Sequence, residues 1–257
     1  SVVFIAWLWS PDALALVPQR VWNNMTQYLL AAIPLFIFMA SMLEKSGVIE
    51  EVFDVAYKWL GRIPGGLAVA TVVASTVLAA MVGVIGAAVV TMALVALPSM
   101  LRRGYSPVLA VGTVMAGGTL GILIPPSVLA IVYGLVANQS VGELYLGSVF
   151  PGLVLSGLYI LFSVGYALLN PKAAPRLSPE ETPTWSERWR ALRSIWSPLV
   201  LIFLVLGTIF LGLAAPTEAA AIGAFGAMVV AAIHRRLSWT ILRLALEQTA
   251  KALRELG

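Results

Sequence analysis

Of 257 residues, 60% are hydrophobic and only 11% charged, against roughly 25% charged in soluble domains, which excludes a water-soluble domain and predicts an all-α polytopic membrane protein. With no cysteine and a single histidine, His234, the chain holds neither a disulfide framework nor a thiolate or histidine-cluster metal site. The formal charge of +4 comes from Lys and Arg at the edges of apolar runs, a membrane-orientation pattern rather than a nucleic-acid stripe, so no nucleic-acid partner is expected.

In chain order, Ser1 to Trp9 are apolar but lack the basic lead and small-residue cleavage site of a signal peptide; they read as the end of an interrupted helix. Together with an amphipathic C-terminus that has no stop signal, they suggest a fragment at both ends. Met25 to Leu43 form an apolar span containing Pro34, and Glu44, Lys45 and Gly47 mark its boundary. In Ile49 to Leu60, Glu50, Glu51, Asp54 and Lys58 recur opposite Val52, Val55 and Trp59, which predicts a surface-lying connector helix. Residues 1–62 are thus expected to be scaffold-type helices and a connector.

Between Arg62 and Arg102 lie 39 uncharged residues with basic flanks, which places both ends in the cytoplasm. Two full crossings would need ~40 residues and leave none for a turn. Residues 63–101 are therefore predicted to form a re-entrant helical hairpin, unwound at Gly83 to Gly86; an ordinary pair of tight antiparallel helices is the alternative. Ser75, Thr76 and Thr91 in this region are expected to bond their own helix carbonyls.

The stretch 105–137 reads as one broken transmembrane helix, running to Leu123, interrupted at Ile124 to Ser127 and resuming at Val128. Pro125 and Pro126 lack N–H groups and their rings clash with the preceding turn, so backbone carbonyls are released. Hydrocarbon tolerates such backbone only where it is buried in protein or lines a cavity. Residues 63–137 are accordingly expected to be the transport-type region. Backbone carbonyls near Gly83, Gly86, Gly121 and Ile124 are candidate sodium ligands, while Pro125, Pro126 and Ser127, at the amino end of the resumed helix, are candidates for an anionic substrate. Gly112 and Gly118 are expected to form helix contact faces.

Residues 138–170 form a further transmembrane helix, followed by a cytoplasmic loop over 171–193 with Lys172, Arg176, Arg188, Arg190, Arg193 and four prolines. Trp185 and Trp189 of that loop are expected at headgroup level. Residues 194–257 read as the start of a second repeat: spans Ser194 to Leu213 and Ala219 to Ile233, then an amphipathic helix over Ile241 to Ala252. Arg236-Leu237-Ser238-Trp239 before that helix echoes Arg20-Val21-Trp22 before Met25. Glu218 is the lone carboxylate of 194–233. An intramembrane acid is a candidate for ion coupling, but Pro216-Thr217-Glu218 also has the chemistry of a helix start, the preferred reading.

These residues together resemble the large membrane (permease) subunit of tripartite ATP-independent periplasmic (TRAP) transporters. The resemblance rests on the order and spacing of Ile33 to Phe38, Leu43 to Gly47, Leu97 to Tyr105, Leu120 to Ser127, Tyr133-Gly134 with Ser140 to Gly142, Pro151-Gly152 and Pro216 to Ala221. It implies an inverted-repeat, elevator-type fold and sodium-coupled symport of a small organic acid, delivered by an extracytoplasmic solute-binding protein. It also implies a small membrane subunit, a bacterial or archaeal cytoplasmic membrane, no cofactor beyond the coupling sodium ion, and a second hairpin beyond Gly257. The hairpin tip departs from the serine-rich family pattern, carrying Val82, Val84, Ile85 and Ala87, which leaves carbonyls as the available ligands. Three readings stand beside this one: a related anion carrier working without a binding protein, an intramembrane enzyme, and a purely structural membrane subunit. No paired acids or nucleophile support the enzyme.

Overall fold

A computed structural model describes residues 18, 22, 26–83, 85–175 and 183–256. Regular structure among them is entirely helical. A 3-10 turn over Tyr28–Ala31 leads into α1 (Ala32–Lys45), and Gly47, in the left-handed region at φ 71°, turns the chain into α2 (Val48–Leu60). On α2 the spacing of Val48, Ile49, Val52, Phe53 and Ala56 buries one face, while Glu50 and Asp54 point away. Gly65, at φ 66°, precedes α3 (Gly66–Val82), which is followed by α4 (Ile85–Arg102). Next come α5 (Pro107–Leu123), α6 (Val128–Ala137) and α7 (Val141–Leu169).

Four described segments are long and apolar enough to cross a membrane: Tyr28–Lys45, the 31-residue Pro107–Ala137, Val141–Leu169 and Pro216–Ile233. At a rise of ~1.5 Å per residue, the arms α3 and α4 fall short of a ~30 Å hydrocarbon core. They pack on each other and together hold α5, with α7 covering α3 and α5. Small residues permit this approach, because helix association in lipid rests on close packing rather than on hydrophobic burial. A Cβ on Gly117 would stand 2.7 Å from Ser75 Cβ, and one on Gly118 would strike Val89 Cγ2. Gly112 is different: nothing lies within 4 Å of a Cβ there. It borders an open space between α3, α5 and α7 rather than forming the contact face expected.

The segment 171–193 is not wholly loop. Thr184 and Glu187 cap each other reciprocally and start α8 (Trp185–Ser194). The N–H of Thr184 donates to Glu187 Oε2 at 2.7 Å, and its hydroxyl does so at 2.8 Å. Trp59 of α2 receives Trp185 and Trp189 edge-on, at centroid distances of 5.9 and 5.7 Å, and its indole N–H donates to the Arg188 carbonyl. Both tryptophans therefore dock α8 onto the connector while staying exposed on their outer sides. Helix α9 (Trp196–Phe210) continues from α8 with a bend of 46°.

Helices α10 (Pro216–Ile233) and α11 (Trp239–Leu256) complete the described chain, and both pack on α1. Arg235, at φ 56°, turns α10 into the amphipathic α11 much as Gly47 turns α1 into α2. The echo read around Arg20-Val21-Trp22 lies, apart from Trp22, outside the described residues, as do Ser1 to Trp9 and Arg176. The two turns are tied together: Glu51 meets His234 Nδ1 at 3.2 Å and Arg236 Nη2 at 3.0 Å, and Arg236 Nη1 donates to the Ser46 carbonyl at 2.7 Å.

Candidate functional site at the interrupted helix

Helix α3 ends where Gly83 takes φ 61°, a left-handed conformation that glycine adopts without steric cost. The Gly83 carbonyl accepts the Val128 N–H at 3.4 Å, and a Cβ on Gly83 would strike the Pro126 carbonyl oxygen and lie 3.5 Å from Ser127 Cα. The end of the first arm and the interruption, distant in sequence, thus meet backbone to backbone. Gly86 does not join them. It lies inside α4, already wound from Ile85, and nothing comes within 4 Å of a Cβ there. The unwound turn is shorter than the Gly83 to Gly86 segment read from sequence; Val84 itself lies outside the described residues.

On the α5 side, Gly121 is buried in the last helical turn and Ile124 is extended, its N–H still bonded to the Leu120 carbonyl at 2.9 Å. Pro125 has no N–H for the Gly121 carbonyl, and Pro126 has none for that of Ile122. Among the described residues no hydrogen bond reaches the carbonyls of Gly121 through Pro126. The Ile124 side chain packs against Gly152 of α7, with Cγ1 2.7 Å from where a Cβ would be, and Pro125 and Pro126 are buried.

On the α6 side, Ser127 occupies the N-cap position but does not cap. Its hydroxyl is buried without a hydrogen-bond partner, in a side chain only 1% exposed. Its carbonyl accepts the Ile131 N–H at 3.3 Å and the hydroxyl of the fully buried Tyr145 at 3.2 Å. The Leu129 and Ala130 amides have no partner among the described residues. The interruption therefore presents two electrostatic faces: bare carbonyls at the C-terminal end of α5, suited to a cation, and bare amides with a free hydroxyl at the N-terminal end of α6, suited to an anion. Tyr145 carries no local sequence signal for this role, and Gly152 enters only through the Pro151-Gly152 pair of the family resemblance, since each acts across the bundle.

Thr76 bonds its own helix, at Val72 O, and also meets Ser156 Oγ of α7 at 2.6 Å. Ser75 departs from that expectation: its hydroxyl faces Gly117 and is buried without a partner. Thr91 makes no hydrogen bond among the described residues. Glu218 stands at the start of α10, where its carboxylate accepts the Ala215 N–H at 2.9 Å, a capping contact. Its helix packs on α1 and α9. Among the described residues no cluster of His, Asp or Glu could hold a metal ion, so a cation here depends on backbone oxygen. A cavity of about 560 Å³ between α3, α5 and α7, bordered by Val108, Gly112, Leu158 and Phe162, is apolar and lies apart from the interruption.

Long apolar helices around an opened stretch of backbone define the class: a polytopic helical membrane protein of the transporter type. The chain matches the family model "Tripartite ATP-independent periplasmic transporter, DctM component" over residues 1–256. It is 37% identical over 90% of its length to the C4-dicarboxylate TRAP transporter large permease protein DctM of Vibrio cholerae, covering 50% of that protein. It is 32% identical over 75% of its length to the ectoine TRAP transporter large permease protein TeaC of Halomonas elongata, covering 44%. Against the isethionate TRAP transporter permease protein DctMQ of Oleidesulfovibrio alaskensis it is 31% identical over 86% of its length, covering 34%. The chain belongs to the TRAP transporter large permease family, whose members are permease subunits and not enzymes. It spans about half the length of the C4-dicarboxylate permeases it matches.

Proposed function

We propose that this chain supplies the first repeat, and the start of the second, of a sodium-driven organic-acid permease in a bacterial cytoplasmic membrane. The permease works with a small membrane subunit and an extracytoplasmic solute-binding protein. The carrying observation is the opened backbone between α5 and α6, where the Gly121 to Pro126 carbonyls lack donors and Gly83 closes over the far side. A sodium ion among carbonyls near Gly83, Gly121 and Ile124 needs no buried carboxylate. The substrate's carboxylate faces the Leu129 and Ala130 amides and the Ser127 hydroxyl, beyond Pro125 and Pro126. C4-dicarboxylate and isethionate, which appear in the names of relatives, are anions that such an amide end suits. The short arms α3 and α4 act as a re-entrant hairpin that moves with α5 and α6. Glu218 serves as a cap rather than a coupling acid.

The test is reconstitution of the full-length permease with its small subunit and binding protein in proteoliposomes. Uptake should require an inward sodium gradient, and uptake indifferent to that gradient would remove sodium coupling from the reading. Uptake by the large subunit alone would favour a carrier that needs no binding protein.

A further inference from the structure

We infer that the outer face of α8, at Arg190 and Arg193, is a binding site for the phosphate of an anionic membrane phospholipid whose acyl chain lies along α9. Ser186, Trp189, Arg190 and Arg193 border a cleft of about 400 Å³. Arg190 and Arg193 make no ion pair or hydrogen bond among the described residues, and a third arginine of α8, Arg188, is buried against the Trp185 ring with no carboxylate partner among them. The only acid on α8 is Glu187, whose carboxylate is hydrogen-bonded by Thr184 and also lies in the field of Arg190. Other nearby acids face elsewhere: Glu50, Glu51 and Asp54 border a separate cleft with Ser194 and Arg236. Among the described residues, the two guanidinium groups of the cleft thus outnumber the one carboxylate beside them.

Its place in the fold distinguishes it from an ordinary solvated face. Docking through Trp59 fixes α8 beside the connector, and only Ile195 separates it from the apolar α9. Arg193 therefore stands about one helical turn from Trp196, at the level where a span meets lipid headgroups. Below it, Trp196, Val200 and Phe203 recur at helical spacing and are 58%, 47% and 75% exposed. Two guanidinium groups above an apolar stripe match a phosphate above an acyl chain. Guanidinium forks bind phosphate in bidentate fashion, and indole rings favour that depth.

Full-length protein is placed in nanodiscs containing either brominated phosphatidylglycerol or brominated phosphatidylcholine, and quenching of tryptophan emission is read, with W189F identifying the Trp189 share. Wild type should prefer the anionic lipid by roughly thirtyfold at low salt, from about 1 kcal/mol per basic residue. That preference should vanish in R190Q/R193Q, persist in R190K/R193K, and be unchanged by K251Q/R254Q on α11, with circular dichroism confirming equal helix content. Equal quenching by the two lipids, or an undiminished preference in R190Q/R193Q, overturns the site. Loss of the preference on adding excess inorganic phosphate at constant ionic strength also overturns it, in favour of a free-anion site. None of these readouts depends on transport.

Discussion

The Gly83 carbonyl oxygen accepts the Val128 amide at 3.4 Å, so a residue from the end of α3 supplies the partner for the first amide of α6. Ser127, in the N-cap position where a hydroxyl ordinarily bonds an amide, leaves its own side chain free. Coupling between the hairpin arm and the interrupted helix therefore runs through backbone, and substitutions that move backbone should have the largest effects.

Gly83→Ala tests that contact. A left-handed non-glycine residue costs about 1–2 kcal/mol, and the added methyl also meets the Pro126 carbonyl oxygen, which has no rotamer by which to retreat. Sodium-dependent uptake by the complete permease should fall at least about tenfold at equal membrane abundance, since 1.4 kcal/mol is a factor of ten. Gly86→Ala, inside α4 and open to space, should retain activity.

Replacing Pro125 and Pro126 together by alanine returns two N–H donors to the Gly121 and Ile122 carbonyls. Helix then continues through the interruption, and the sodium-activation curve should flatten or shift to much higher concentration. An unchanged curve would favour the purely structural reading of this subunit.

Tyr145→Phe removes only the hydroxyl that donates to the Ser127 carbonyl. A neutral hydrogen bond contributes about 0.5–1.5 kcal/mol, so uptake should drop several-fold without loss of folded protein, as checked by size-exclusion profile and uptake rate.

Arg236→Ala leaves the Ser46 carbonyl and the Glu51 carboxylate short of donors at the joint of two helical turns. Since Arg236 is partly exposed, the loss should be about 1–2 kcal/mol, seen as a lowered unfolding temperature in detergent. Arg236→Lys should recover only part of it, because one ammonium cannot span both acceptors as the guanidinium fork does.

Acid should loosen the start of α8. Hydrogen bonds from the Thr184 N–H and then its hydroxyl hold the Glu187 carboxyl below the usual range. A depressed carboxyl contributes stability above its unfolded pKa of about 4.3, and that contribution fades as pH falls through the lowered native value. Emission from the Trp59–Trp185–Trp189 cluster should report it. In Glu187→Gln, which keeps an acceptor but does not titrate, this component of the acid transition should be missing.

Much of the helical plan was legible in sequence because it follows from local rules. The run of apolar residues dictates which segments enter lipid, the shortness of 63–101 limits its helices, and two adjacent prolines interrupt a helix wherever they stand. The alternation of acids with Val52 and Trp59 likewise marked α2 as amphipathic. Start signals were legible too, as Pro216-Thr217-Glu218 shows: the Glu218 carboxylate accepts the N–H of Ala215, the residue that precedes α10.

Sequence by itself thus determined a helical membrane protein with one opened helix, since hydropathy, helix capping and proline stereochemistry act within a few residues. Tertiary structure alone decided which groups meet. Gly112 and Gly118 share one helix and look alike in sequence, yet one is open and the other lies against Val89. Likewise Trp185 and Trp189 signal an interface, but only packing shows that Trp59 receives them. The approach of Gly83 to Val128, and of Tyr145 to Ser127, depends on steric fit between distant segments. No local periodicity encodes that fit.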